Sequence, residues 1–123
     1  MISLEAEPGG LLVLRFGPPY GPDDEGGYLA ALERISALAD PFALMVVLGG
    51  GPGLSRDGER AQALWFKRSR NHIEACCRAL AMVRPQVTPR MSEVFGKLWR
   101  IPLTTTDDEG AARRFLAPFL ATS

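Results

Sequence analysis

The chain is poor in the residues that build disulfides, metal centres and membrane spans. Its 123 residues include two cysteines and one histidine. Because Cys76 and Cys77 are neighbours in sequence, they are expected to stay free thiols, as is usual in a reducing cytoplasm. His72 and Cys76 lie one helical turn apart, but zinc needs four ligands, so the pair predicts no metal site. The longest apolar run, residues 42–48, is well short of the roughly 20 residues that a membrane span requires.

The chain also lacks an excess of charge of either sign, since 14 basic side chains balance 14 acidic ones. The distribution is uneven, because residues 56–90 hold eight basic and three acidic side chains. Such a segment attracts anions, although a solvated helix face is the ordinary explanation of a charge run. The segment is short and the chain neutral, so nucleic-acid binding is not expected. The first ten residues are acidic, whereas a secretory signal begins with basic residues. We therefore expect a cytoplasmic protein.

Apolar periodicity and turn signals predict one α/β domain over residues 1–123. Hydrophobic residues make up 46% of the chain, enough to bury a core without staples. The predicted order is β-β-α-β-α-β-α-β-α, a mixed and mostly parallel sheet of about five strands with an N-terminal antiparallel hairpin and about four helices. The strands are expected at residues 2–6, 11–16, 42–48, 79–83 and 101–104, and the helices at 23–39, 57–77, from 88 onward and at 106–120.

Finer expectations concern the two helices with the clearest patterns. In the last helix, Thr106 and Glu109 predict a capping box, and Pro118 should bend or shorten the helix. In the long helix, Arg70 and Glu74 are spaced to pair across one turn. Its inner stripe is predicted to hold Trp65, Ser69, Ile73 and Cys76, with Ala61 and Leu64 at the start.

Acidic clusters at residues 23–25 and 107–109 each stand at the start of a predicted helix. Three acids in a first turn complement the helix dipole, which explains them more simply than a general acid or a metal cluster does. No nucleophile with a neighbouring base stands out elsewhere in the sequence. The sequence therefore predicts no catalytic residue, no metal and no cofactor, and the chain is not expected to be an enzyme.

The glycine-rich loop VLGGGPGLSRDGER follows the apolar run and precedes the long helix. It lacks the G-x-x-x-x-G-K-[ST] pattern of a phosphate-binding loop, because Leu54 stands where the lysine belongs. Three alternatives remain for it: a plain turn, a ligand or partner contact, and a phosphorylatable serine. The structural role expected for Ser55 or Asp57 is helix capping. The candidate partner or phosphorylation loop consists of Gly50, Gly51, Gly53, Ser55 and Asp57.

Neighbouring aromatic and basic side chains mark the long helix. Aromatic residues at helical spacing are usually core, but Trp65 and Phe66 cannot easily be buried on one helix face. One of them is therefore a candidate contact for a lipid, a ligand or a second subunit. Lys67, Arg68 and Arg70 beside them suit an anionic interface. The candidate ligand or membrane contact consists of Trp65, Phe66, Lys67 and Arg70.

Four features together resemble the SpoIIAA-like family of small bacterial proteins, which share the STAS fold of the anti-sigma factor antagonists. They are the opening hairpin, FALMVVL before a loop, ALWFKRSRNHIEACCR running into ALAMV, and the closing DDEGAARRFL. The resemblance covers nearly the whole chain. It implies a STAS-like fold and a binding or regulatory role without enzyme activity.

The resemblance also implies a candidate switch. Classical antagonists of this fold dock a partner kinase and are switched by phosphorylation of a serine after the central strand. Ser55 matches that serine in position, but GGGPGLSRDG replaces the usual Asp-Ser-Ser-Gly-like turn. The leading hypothesis is a regulatory domain that docks a protein partner through residues 49–57 and the following helix. A homodimer is a further expectation. The alternative is a protein that binds an amphipathic or hydrophobic small ligand at a membrane surface.

Overall fold

A five-stranded sheet organises the chain in the computed structural model, which describes residues 1–50 and 53–121. The strands are β1 (Ile2–Glu7), β2 (Leu11–Phe16), β3 (Phe42–Leu48), β4 (Cys77–Val83) and β5 (Leu103–Thr106). The helices are α1 (Asp24–Ser36), α2 (Arg56–Cys76), α3 (Pro89–Gly96) and α4 (Glu109–Leu116), with a 3₁₀ turn at Ala117–Phe119. The predicted α/β class and the order of its elements are confirmed.

The strands follow one another across the sheet in the same order as along the chain. β1 and β2 form the predicted antiparallel hairpin, whereas β2 to β5 are parallel. Gly9 and Gly10 make the hairpin turn with φ of +87° and +81°, a conformation that side chains with a Cβ rarely adopt. Because successive crossovers are right-handed, this order places the helices that connect parallel strands on one face. The opposite face is left to α4.

Two apolar cores result, one on each face of the sheet. β3 is apolar along its whole length because it is covered on both sides. On the α4 face the strands contribute small side chains, which lets the helix approach closely; this core holds Leu11, Val13, Ala43, Met45, Ala79, Ala81, Ala112 and Leu116. On the other face α1 and α2 cover larger side chains; this core holds Leu14, Leu32, Ile35, Leu44, Val46, Trp65, Ile73, Leu80 and Met82.

The predicted capping box at the start of α4 is wrong. Thr106 ends β5, and Asp108 is the N-cap, accepting hydrogen bonds from Gly110 N at 3.1 Å and Ala111 N at 3.2 Å. Asp108 is also a favoured cap residue, and the strand pairing keeps Thr106 in the sheet. The predicted shortening at Pro118 is confirmed, since α4 ends at Leu116. Thr88 caps α3 as expected, accepting from Met91 N at 3.2 Å.

The inner stripe of α2 is confirmed in part. Trp65, Ser69 and Ile73 are buried, but Leu64 is 61% exposed because it points away from the sheet. The predicted Arg70–Glu74 pair is wrong. Arg70 donates to the carbonyl oxygen of Leu98 at 3.2 Å, and Glu74 accepts from the backbone N of Arg100 at 2.9 Å. Both side chains instead hold the connection between α3 and β5.

The first helix is shorter than predicted. α1 ends at Ser36, four residues before Asp40-Pro41. Leu38, which falls within the predicted range 23–39, lies beyond the end of the helix and is exposed. Among the described helices, none is both long and apolar enough to cross a membrane.

Four charged side chains fasten α4 to the hairpin. Arg113 donates to both carboxylate oxygens of Glu7, at 2.8 and 3.0 Å, and lies 3.4 Å from Glu109. Glu109 in turn accepts from Arg15 at 2.6 Å. The hydrogen bond from Arg113 lowers the pKa of Glu7, and the hydrogen bond from Arg15 lowers the pKa of Glu109. The network therefore stabilises the fold only while these carboxylates are ionised.

We expect Arg113→Met to lower the free energy of unfolding by about 0.5–1 kcal/mol at pH 7, because the network is half-exposed. A lowered folded-state pKa stabilises the protein above the ordinary carboxyl value of 4.5 and loses its effect as the pH falls below it. The difference between variant and wild type should therefore shrink between pH 5 and about pH 3. Urea denaturation across this pH range measures it. Arg114→Met, at the neighbouring exposed arginine, is the control; an equal effect at both positions would contradict the assignment.

Candidate functional site

The glycine-rich loop leads from the end of β3 to the start of α2. Gly50 has a φ of +80°, a backbone conformation that favours glycine. Ser55 is the N-cap of α2, and its hydroxyl oxygen accepts from Gly58 N at 3.0 Å. Of the two capping residues predicted, Ser55 therefore fills the role and Asp57 lies exposed in the first turn. Gly51 lies outside the described residues.

A carboxylate from α1 occupies the start of α2. Glu25 accepts from the backbone N of Ser55 at 2.5 Å and from its hydroxyl at 2.8 Å. The N-terminus of a helix favours an anion, and here the protein supplies that anion itself. This contact was missed at the sequence level, where Glu25 was assigned to the dipole of its own helix. It joins α1, α2 and the loop into one unit.

Gly58 leaves room for the same contact. It is buried, and a Cβ placed on it would lie 2.5 Å from Oε1 of Glu25. A glycine inside a helix normally lowers stability relative to alanine by 0.5–1 kcal/mol, as a rough general value. The close approach of the carboxylate explains why glycine is present here.

We expect Gly58→Ala to destabilise the protein, because the new methyl group displaces Glu25. Gly26→Ala is the matched control, since Gly26 lies in α1 with nothing within 4 Å of its added Cβ; it should be neutral or stabilise by up to about 1 kcal/mol. Urea denaturation measures the change in the free energy of unfolding that each substitution causes. If the two substitutions shift stability in the same direction, the proposed clash at Gly58 is wrong.

A largely apolar cavity of about 320 Å³ lies between the sheet and the helices α1 and α2. Its floor consists of alternate side chains of β2, β3 and β4, and the loop residues Gly50, Gly53 and Leu54 border it at the carboxyl ends of these strands. Ligands of open parallel sheets commonly bind at this edge. The lining residues from the strands are Leu14, Phe16, Leu44, Val46, Leu48, Leu80 and Met82, and those from α1 and α2 include Tyr28, Leu32, Gln62, Trp65 and Phe66.

Three aromatic rings form one wall of the cavity. Trp65 and Phe66 lie 5.5 Å apart, and Trp99, from the connection between α3 and β5, lies 6.2 Å and 5.5 Å from them. Trp65 is buried and its indole N–H donates to Ser36 Oγ at 3.1 Å, while Phe66 is half-buried. Both aromatic residues therefore face inward, because Trp99 covers them.

Few polar groups line the cavity, and two of them have buried atoms without a partner. Tyr28 donates its hydroxyl to Gln62 Oε1 at 2.6 Å, and burial raises the pKa of Tyr28 to about 12, so the phenol stays neutral. By contrast, Arg84 Nε and Trp99 Nε1 are buried and make no hydrogen bond within the part of the chain that is described. Unpaired buried donors are costly, so each of the two calls for a partner such as a water molecule or a ligand.

The basic candidate residues lie outside this cavity. Lys67 and Arg70 are exposed on α2, and Arg70 binds the carbonyl oxygen of Leu98. Arg68, between them, forms an ion pair with Glu33 of α1. A separate polar cleft of about 420 Å³ lies near Arg70; its lining residues are Arg70, Asn71, Glu74, Lys97, Leu98, Trp99 and Arg100.

The cysteines and the histidine do not form a reactive centre. Cys76 and Cys77 are free, and burial raises the pKa of the Cys77 thiol to about 12, so it stays protonated. Across residues 1–50 and 53–121, no group of three or more His, Cys, Asp or Glu side chains could hold a metal ion.

Comparisons with known proteins do not assign the chain to a class. No family model, no curated protein and no solved structure matches it. The cavity and the loop are therefore the features that bear on its function.

Proposed function

We propose that this chain is a non-enzymatic binding protein whose cavity holds a small hydrophobic or amphipathic ligand. The observation that supports this most strongly is the largely apolar pocket of about 320 Å³, open at the loop, between the sheet and the helices α1 and α2. A largely apolar pocket of this size with a few polar groups is typical of a small-molecule site.

The composition of the cavity favours binding over catalysis. Its walls are aliphatic and aromatic, and its phenol, Tyr28, is neutral and already bonded to Gln62. Gly50, Gly53 and Leu54 border the mouth, where a ligand would enter at the carboxyl edge of the sheet. We also propose a STAS-like relationship and a cytoplasmic location, since the order of the elements and the free thiols agree with both.

Both tryptophans of the chain line the cavity, so their fluorescence should report occupancy. We expect the neutral dye N-phenyl-1-naphthylamine to bind wild type and to quench this fluorescence by energy transfer. Val46→Phe should weaken dye binding by roughly tenfold or more, because its ring fills space that the ligand needs. Val46 is buried in the lining.

Val94→Phe makes the same change at an exposed position on α3 and is the matched control. It should leave dye affinity unchanged. Leu48→Phe, at a half-buried lining position, is the second filling variant should Val46→Phe not fold. Saturable dye binding that is equal in wild type and in both filling variants would contradict a site in this cavity.

The second candidate function is docking of a protein partner through residues 49–57, and the exposure of Ser55 favours it. A phosphoryl group on Ser55 would face the carboxylate of Glu25, whose oxygen now lies 2.8 Å from the hydroxyl. Repulsion between the two anions would release the loop from α1. Phosphorylation would thereby change both the docking surface and the mouth of the cavity. A second copy of this chain is also proposed as a partner.

Deletion of residues 50–53 is expected to abolish capture of a partner, because it removes the loop while leaving the strands and helices intact. Affinity capture followed by quantitative mass spectrometry measures the loss. Leu64→Asp alters an exposed position on α2, away from the loop, and is the control. If the deletion variant retains every protein captured by wild type, docking through this loop is wrong.

Ligand binding at a membrane surface has less support than ligand binding inside the fold. Phe66 lines the cavity instead of facing outward, and two of the three neighbouring basic residues, Arg68 and Arg70, are held by contacts within the protein. We therefore propose that ligand binding takes place inside the fold and does not require a bilayer.

A further inference from the structure

We infer that the ligand of the cavity carries an oxyanion head, a carboxylate or a phosphate, which Arg84 binds at the mouth. The inference rests on the proposed ligand-binding function and adds the chemical class of the ligand. The supporting observation is that Arg84, a permanently charged residue, lies beside an apolar cavity.

Arg84 is fixed at the carboxyl edge of the sheet. It follows Val83, the last residue of β4, and its backbone N donates to the carbonyl oxygen of Thr106 at 3.0 Å. This hydrogen bond continues the pairing of β4 with β5, so the position of the Arg84 backbone is set by the sheet. Its side chain lines the cavity beside Gly50 and Gly53 of the loop.

Within residues 1–50 and 53–121, the guanidinium of Arg84 has no acidic partner. Its Nε is buried and has no hydrogen-bond partner among the same residues. Arginine remains charged at every physiological pH, and its planar fork matches an oxyanion. A buried donor without a partner is unfavourable, so an oxyanion that accepts from Nε would be bound in part because it relieves this cost.

The other polar groups of the lining do not favour a cationic ligand. The unpartnered Trp99 Nε1 is a donor, and Trp99 is 95% buried. The acceptor Gln62 Oε1 is already used by Tyr28. Glu59 is the acidic side chain of the lining, but it is exposed in the first turn of α2, where water solvates it. A cationic ligand would therefore meet two unsatisfied donors and one solvated carboxylate.

The two donors lie at opposite ends of the cavity. Leu80 and Arg84 both line it and are four residues apart along β4, a span of about 13 Å. Trp99 packs on Trp65, whose indole N–H donates to Ser36 at the end of α1. Glu25, at the loop, lies about 16 Å from Ser36 along the same helix. Only the charged donor at the mouth can therefore select the head group. A short alkyl chain suits the apolar floor between the two ends.

The test compares octanoate, octyl phosphate and 1-octanol, which share one alkyl chain, each below its aggregation concentration. Isothermal titration calorimetry gives the three affinities for wild type. Octanoate or octyl phosphate should bind roughly tenfold to a hundredfold more tightly than 1-octanol, as expected for a hydrogen bond to a charged group. Whichever anion binds more tightly identifies the head group as carboxylate or phosphate.

Arg84→Met should remove most of the preference for the anions and leave the affinity for 1-octanol almost unchanged. Arg84→Lys keeps the charge without the fork and should retain part of the preference, which also covers the case of an unstable methionine variant. Arg90→Met, at an exposed arginine in α3, is the matched control and should behave as wild type.

The outcomes separate the two claims. If 1-octanol binds wild type as tightly as both anions, or if Arg84→Met preserves the preference, the oxyanion inference is overturned while the cavity remains a binding site. If none of the three ligands binds and the dye does not bind either, the proposed function fails as well.

Discussion

The fold depends on one constraint: β2, β3 and β4 carry apolar side chains on both faces, and each face has to be covered. The two faces are covered differently. α4 lies close to strands that present alanine and valine, with the ion network of Arg113 holding it to the hairpin. α1 and α2 lie over strands that present leucine, methionine and valine, and they leave a cavity. The strand order leads to this asymmetry, because right-handed crossovers put the connecting helices on one face.

The cavity exists because α1 and α2 are held to one another at the loop. Glu25 bonds to the backbone and the hydroxyl of Ser55, and Gly58 leaves room for its carboxylate. At the far end, Trp65 bonds to Ser36, and Trp99 packs over the aromatic pair. The helices are thus fastened at both ends and span the region between. The same contact that caps α2 therefore also sets the mouth of the site.

The sequence predicted the parts of the fold that depend on neighbouring residues. Uniform apolar runs located β3 and β4, the alternation from Ile2 located β1, and Thr88-Pro89 located the start of α3. Thr106 and Asp108 are both favoured N-cap residues for α4. Strand pairing keeps Thr106 in the sheet, so Asp108 caps the helix. Spacing alone could not show that Arg70 and Glu74 bind backbone groups 28 and 26 residues away.

The site was predicted less completely than the fold. Trp65, Phe66, Gly50 and Gly53 were named from the sequence and do line one cavity. Lys67 and Arg70 lie outside it, because an amphipathic helix turns its basic face to water. The roles of Arg84 and Glu25 were missed, since they arise from contacts between distant segments. The one available signal was an isolated arginine directly after an apolar strand, at the edge where parallel sheets bind ligands.

The central claim is that a ligand enters the cavity beneath the loop, and the two indole N–H groups test it most directly. The chain contains only Trp65 and Trp99, so a spectrum of protein with ¹⁵N-labelled tryptophan should contain two assignable indole resonances. On titration with octanoate, both should shift along one saturable curve, and Trp99, whose N–H has no partner in the described structure, should shift further than Trp65. If neither resonance moves while octanoate binds elsewhere on the protein, the cavity is not the binding site.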